Sequence, residues 1–319
     1  MDPFSQILKT LRLESGIFLD AEFTAPWCVD PSPARDDSRQ ILPRVEHVSI
    51  YHLVVEGRCR ARLPDETAAV ELAAGDLILF PHGDGHLLGS DVRRAPLAAE
   101  TLVQASPEGG LARIVHGGGG DRTRFICGYL ACDSRLCRPM IAALPRMLRV
   151  PLQDRTSAAW MVKTLQHAAE ESRAPRAGSD AVLAKLSELL FVEALRCYLE
   201  TVPEQERSWL AGLRDPHVSR VLGLMHAEPA RQWTVDDLAR EAGISRSALA
   251  ERFALLLGEP PMQYLKRWRL ALGARALKEG SAPVVHVAQQ VGYESEAAFN
   301  RAFKREFGMP PATWRRHRR

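Results

Sequence analysis

The amino-acid sequence predicts an α+β multidomain chain. It comprises an N-terminal β-barrel or sandwich, a helical segment suited to transmission or dimerisation, and a C-terminal all-α domain with two helix-turn-helix units. Three observations carry this. From about residue 41 to 130, short apolar runs alternate with Gly, Pro and Asp, the spacing of an all-β layer. Beyond Pro139 apolar residues recur at helical spacing. Near the C-terminus one helix–glycine–helix pattern occurs twice. The expected division is 1–150 for the β domain, 151–202 for the helical segment, 203–216 for a linker and 217–319 for the helical domain.

With 319 residues, 46% hydrophobic and 25% charged, the chain has room for two or three ordinary globular domains. No apolar run approaches the roughly 18–20 residues of a membrane span. The opening MDPFSQILKTLRLESG lacks the charged start, apolar core and small-residue cleavage site of a signal peptide. A cytoplasmic protein with its six cysteines reduced is therefore expected. The net charge of +3 hides an asymmetry: residues 214–319 hold 18 Lys+Arg against 11 Asp+Glu, and residues 1–213 hold 24 against 28. Positive charge gathered beside the repeated motif suits a phosphate backbone.

Taken in order, Phe4, Ile7, Leu8 and Leu11 fall at helical spacing, so residues 1–20 predict a short amphipathic helix. Residues 49–55, 77–80 and 125–130 read as strands. The run Gly117–Gly120 is a loop or turn. Residues 157–171 form a helix, the stretch 174–179 breaks it, and Asp180 caps a helix of about 20 residues. The wide Leu-rich stripe on that helix (Leu183, Leu186, Leu190 and beyond) can pack on the β domain, meet a second subunit, or do both. Residues 203–207 are charged and begin the linker.

The first copy of the repeat runs Leu238-Ala239, Gly243, Ser245, Leu249, Phe253; the second runs Val287-Ala288, Gly292, Ser295, Phe299, Phe303. In both, Gly follows Ala by four residues, ending a helix in a tight turn, and Ser then caps a second helix. This is the helix-turn-helix pattern. The second helices, 246–257 and 296–307, turn Leu249, Phe253, Phe299 and Phe303 inward. Arg246, Ser247, Ala250 and Glu251 are left outward in the first, and Glu296, Ala297, Asn300, Arg301 and Lys304 in the second. Between the units, Met262–Lys278 predicts a rigid helix of roughly 25 Å at 1.5 Å per residue. It holds two readers about one DNA turn apart, roughly 34 Å.

Residues 217–319 resemble the DNA-binding domain of the AraC/XylS family of bacterial transcription regulators, most closely over the run from Val287 to Pro311. The resemblance implies base-facing positions at Ser247, Ala250 and Glu251 and at Glu296, Ala297 and Arg301, with Asn300 beside them. Ala250 and Ala297 cannot donate hydrogen bonds but can touch a thymine methyl, Glu251 and Glu296 can accept from cytosine N4, and Arg301 can grip guanine. Arg246, Lys304 and Arg305 fit phosphates, which position without reading sequence. A phosphate contact or a surface ion pair remains open for Arg301 as well.

The segment Gly75-Asp76-Leu77-Ile78-Leu79-Phe80-Pro81-His82-Gly83-Asp84-Gly85-His86 resembles the second motif of the cupin barrel, and Leu53–Gly57 the end of the first. The N-terminal domain is thus expected to be cupin-like. His47, His52, His82 and His86 are the candidates to line an effector pocket. Enzymatic cupins hold a metal through a His-x-His pair, a Glu and the second-motif His; only His86 is in place here. If a metal binds, His47, His52 and His86 are its expected ligands, but no metal, cofactor or catalytic set is expected. The implied partners are double-stranded DNA, RNA polymerase, an unidentified small-molecule effector and a second copy of the chain, with no membrane. The competing readings are a metal-dependent cupin enzyme with a DNA-binding tail, a thiol-based redox regulator using cysteines such as Cys127, Cys132 and Cys137, and an architectural DNA binder.

Overall fold

The computed structural model describes residues 4–5, 8, 14–31, 47–104, 111–132, 134–153, 156–171, 177–202 and 208–317. The chain divides into two compact units, Leu13–Ser134 with Leu144–Thr201, and Val202–Arg319 with Met1–Arg12 and Arg135–Ala143.

The first unit is a sandwich of two sheets. Its strands are β1 (Glu14–Thr24), β2 (Cys28–Asp30), β3 (His47–Glu56), β4 (Arg58–Arg62), β5 (Val70–Ala73), β6 (Asp76–Phe80), β7 (Leu87–Gly89), β8 (Leu97–Ala98), β9 (Ala112–Gly117), β10 (Arg122–Cys132) and β11 (Leu148–Pro151). One sheet has the order β11-β6-β3-β10-β1-β9 and the other β5-β4-β7-β2-β8. Phe23, Val54, Ile78, Phe80, Phe125 and Leu72 meet between them, with Trp27 stacked on Phe23 at 4.4 Å. Removing such surface from water is the main favourable term in folding.

One strand differs from the sequence expectation. The N-terminal helix was expected through residue 20, but β1 begins at Glu14. Phe4, Ser5 and Leu8 are helical, and Ile7 and Leu11 lie outside the described residues. The physical reason is the alternation of Leu19, Ala21 and Phe23, all buried in the core between the sheets, a period of two rather than 3.6. A buried ion pair also crosses this sheet: Arg124 donates from Nε and Nη2 to Asp20 at 2.8 and 3.0 Å.

Helix α1 (Ser134–Ala142) precedes β11, and α2 (Thr156–Glu171) and α3 (Ser179–Thr201) follow it. α3 lies on the larger sheet. Tyr51 Oη donates to Ser187 Oγ at 2.8 Å, and Ser15 Oγ donates to the Ala184 carbonyl at 2.7 Å. Leu183, Leu190, Phe191 and Leu195 are buried, whereas Val182 and Leu189 on the other flank are exposed.

The second unit holds α1 beyond its first residue, together with α4 (Trp209–Arg214), α5 (Pro216–Ala227), α6 (Val235–Ala242), α7 (Arg246–Leu257), α8 (Pro261–Glu279), α9 (Val284–Gln290), α10 (Glu296–Phe307) and α11 (Pro311–His317). α4 falls inside the stretch expected to be linker; Ser208 caps it, and Trp209 and Leu210 are buried. Residues 203–207 lie outside the described residues. α8 serves two cores. Tyr264, near its start, packs edge-on against Phe253 of α7. Leu270, Ala274 and Leu277, further along, join Val287, Phe299, Phe303 and Trp314.

Candidate nucleic-acid interface

Each helix-turn-helix unit is built by local capping chemistry. Thr234 and Asp237 form a reciprocal capping box at the start of α6, which satisfies two otherwise orphan groups. α6 ends at Gly243, whose φ of +70° is left-handed, a conformation that favours glycine. Ser245 Oγ then accepts from Ala248 N–H to open α7, and Ser295 Oγ accepts from Ala298 N–H to open α10, each at 3.2 Å. Gly292, in the turn before Ser295, has φ +88°. An N-cap serine contributes about 1 kcal/mol, and each fixes where its helix begins and hence which residues point outward.

The inward positions are fully buried: Leu249 and Phe253 on α7, Phe299 and Phe303 on α10. The opposite faces are open. Arg246, Ser247, Ala250 and Glu251 are exposed on α7, and Glu296, Ala297, Arg301, Lys304 and Arg305 on α10, with Asn300 half-buried. Arg246 stands 3.5 Å from Asp236, both exposed, a contact worth little in water. The α10 face combines three cations, an amide and a small apolar side chain, which together can meet phosphates and base edges.

The four histidines of the sandwich unit do not form one cluster. His52 and His86 meet, Nε2 to Nε2 at 2.8 Å. His47 Nε2 instead lies 2.6 Å from the Pro81 carbonyl, and His82 Nε2 lies 3.0 Å from the Leu144 carbonyl. The three-histidine set His47, His52 and His86 is therefore not assembled. Among the described residues no group of three His, Cys, Asp or Glu side chains can hold a metal ion. The physical reason is that His47 and His52 lie five residues apart on β3, where neighbouring side chains alternate between faces.

The sequence did not point to the third member of the His52–His86 group, Cys127. It pairs directly across from His52 in the β10–β3 register, and its Sγ lies 2.9 Å from His52 Nδ1. One proton assignment satisfies all three contacts. The carbonyl of Asp84 only accepts, so His86 Nδ1–H donates to it at 3.0 Å. His86 Nε2 then accepts from His52 Nε2–H, and His52 Nδ1 accepts the Cys127 S–H. Burial lowers the pKa of both histidines, His86 to about 4, and raises that of the Cys127 thiol. Phe80 stacks on His86 at 3.6 Å. The group is thus neutral and apolar-walled near pH 7. All six cysteines are buried thiols, whereas reactive ones are exposed and of low pKa.

Residues 2–200 match the protein family described as Cupin, and residues 238–317 match the one described as Helix-turn-helix domain. An AraC-like transcription regulator of Streptomyces lividans is 36% identical over 99% of this chain and 99% of its own length. One from Streptomyces antibioticus is 34% identical with the same coverage of both. The HTH-type transcriptional regulator AlkR of Acinetobacter baylyi is 27% identical, again over 99% of each chain.

Proposed function

We infer the function from one premise: this chain belongs to the AraC-like transcription regulators that carry a Cupin domain ahead of a helix-turn-helix domain. It is a DNA-binding regulator of transcription. On our reading α7 and α10 enter successive major grooves on one side of a duplex. α8 has 19 residues and spans about 28 Å at 1.5 Å per residue, close to the roughly 34 Å of one DNA turn. Arg301 reads guanine, Asn300 and Ala297 lie beside it, and Ser247, Ala250 and Glu251 face bases in the other groove. Arg246, Lys304 and Arg305 hold phosphates.

The observation that carries this reading is the division of α7 and α10 into a buried aromatic and aliphatic face and an open face bearing the expected side chains. We further propose that a small effector acts through the sandwich unit, and that a second copy of the chain docks on the outer flank of α3, where Val182 and Leu189 are exposed. RNA polymerase is the downstream partner. Among the described residues no helix is long and apolar enough to cross a membrane, and we place the chain in the cytoplasm with its DNA. The neutral, mutually hydrogen-bonded His52, His86 and Cys127 favour a non-catalytic role for the Cupin domain.

The test is selection of bound duplexes from a random pool by the full chain, followed by Kd measurement at one salt concentration. A specific regulator binds its selected site about 10³-fold or more tighter than random duplex. Equal affinity for both overturns the reading in favour of a sequence-independent architectural binder.

A further inference from the structure

The two helix-turn-helix units are joined by more than α8. The segment Glu228–Trp233, which enters the first unit at the Thr234 cap, is stiffened from within. Trp233 Nε1–H donates to the Glu228 carbonyl at 3.1 Å, and the Arg231 guanidinium lies 3.8 Å over the Trp233 ring. Arg269 of α8 donates from Nε to the Pro229 carbonyl at 2.6 Å and from Nη2 to the Arg231 carbonyl at 2.7 Å. Gln232 Nε2–H donates to the carbonyl of Gly292 at 2.9 Å. Gly292 is the turn of the second unit. One rigid segment of the first unit is thereby pinned both to the connecting helix and to the second unit's turn.

The two turns differ in a way that the motif itself does not demand. A Cβ on Gly243, in the first turn, would meet nothing within 4 Å. A Cβ on Gly292 would lie 2.8 Å from both Ala230 Cα and Ala230 O, and 3.0 Å from Arg269 Cζ. Both glycines have positive φ, so conformation alone requires glycine at each. Only the second also needs the space, and what fills that space is the first unit's segment. A helix alone bends gently along its length; a second tie set to one side of it resists that bending.

We propose that Arg269, Gln232 and the bare Cα of Gly292 form a tie between the two units that sets the spacing of the two DNA elements they read. Arg269 and Gln232 are positioning residues and need not touch DNA. The proposal rests on the DNA-binding reading above. One added base pair moves the second element by about 3.4 Å and turns it by about 34°, so a rigid pair of readers rejects it and a loosened pair tolerates it.

The test uses the full chain, the duplex it selects, and duplexes with one base pair inserted or deleted between the two recognised elements, all at one salt concentration. Wild-type protein should lose about tenfold or more in affinity on either change, the scale of a mismatched base pair. Arg269→Met and Gln232→Ala should bind the original duplex about three- to tenfold more weakly, with the penalty for altered spacing reduced to about threefold or less. An unchanged spacing penalty in both variants, or an equal loss at every spacing, overturns the tie while leaving the DNA reading intact. Wild-type protein without any site preference overturns both. Gln232 is exposed, so Gln232→Ala carries the test alone if Arg269→Met does not fold.

Discussion

Replacing Gly292 with alanine should destabilise the helical unit more than the same change at Gly243, because backbone approaches only the first of these two Cα atoms. Both positions are left-handed, with φ of +88° and +70°. A residue with a Cβ costs about 1–2 kcal/mol in that conformation. At Gly243 nothing else opposes the methyl, so Gly243→Ala should cost only that amount. At Gly292 the methyl would sit 2.8 Å from backbone atoms of Ala230, and backbone cannot swing aside as a side-chain tip can. Overpacking of this kind adds about 1–3 kcal/mol, for a total of about 2–5 kcal/mol. Urea unfolding monitored by tryptophan fluorescence reads the effect directly, because Trp209, Trp233, Trp268 and Trp314 are all buried in this unit. Unit-sized domains shift in Tm by about 4–8 °C per kcal/mol, so Gly292→Ala should melt well below Gly243→Ala. Equal losses at the two positions would refute the close approach of residue 230 to the second turn.

Three further outcomes are expected. Arg301→Ala should weaken binding to the selected site by about 1–3 kcal/mol and relax preference at a single base pair; an equal loss on every sequence would reassign Arg301 to a phosphate. Ser295→Ala removes the acceptor for Ala298 N–H and should lower the stability of the helical unit by about 1 kcal/mol, with an unchanged thermal midpoint contradicting the cap. His226 is buried beside Tyr264 and Trp268, and burial lowers its pKa from 6.5 to about 3. The folded state therefore keeps it neutral while the unfolded chain takes up a proton, so its contribution is complete above pH 6.5 and declines as pH falls toward 3, by about 1.4 kcal/mol per unit. Urea midpoints at pH 7.5, 6.0 and 5.0 should show a shallower acid slope for His226→Phe than for wild type, and parallel slopes would contradict the assignment.

The helical unit was legible in the sequence because its determinants are local. The Ala–Gly–Ser spacing and the Phe or Leu residues four and eight positions after each serine specify turn, cap and buried face within a dozen residues. The outward side chains follow from the same count. The sandwich unit was legible only as a class. Bringing Cys127 opposite His52 depends on the register between β10 and β3, whose residues are 75 positions apart, and a slip of one residue would turn either side chain to the other face. His47 is kept from the His52–His86 pair by a local effect, since an odd spacing of five along β3 sends its side chain and that of His52 to opposite faces. The stretch 14–20 departs from the helix expected over residues 1–20 because Phe4, Leu8 and Leu11 run into it at helical spacing, masking the strand alternation of Leu19, Ala21 and Phe23. The tie at Gly292 could not be read from the motif, since the two turn glycines are chemically identical and differ only in what approaches them.

On our reading one chain presents two readers, α7 and α10, to adjacent major grooves on one face of DNA. Methylation interference on the selected duplex, with full-length protein at a stated salt concentration, tests it most directly. Two patches of interfering guanines are expected for each protomer, about 10 base pairs apart on one face of the helix, with interference relieved in Arg301→Ala only at the guanine that Arg301 grips. A single patch, or interference spread evenly along the duplex and insensitive to Arg301→Ala, would contradict it.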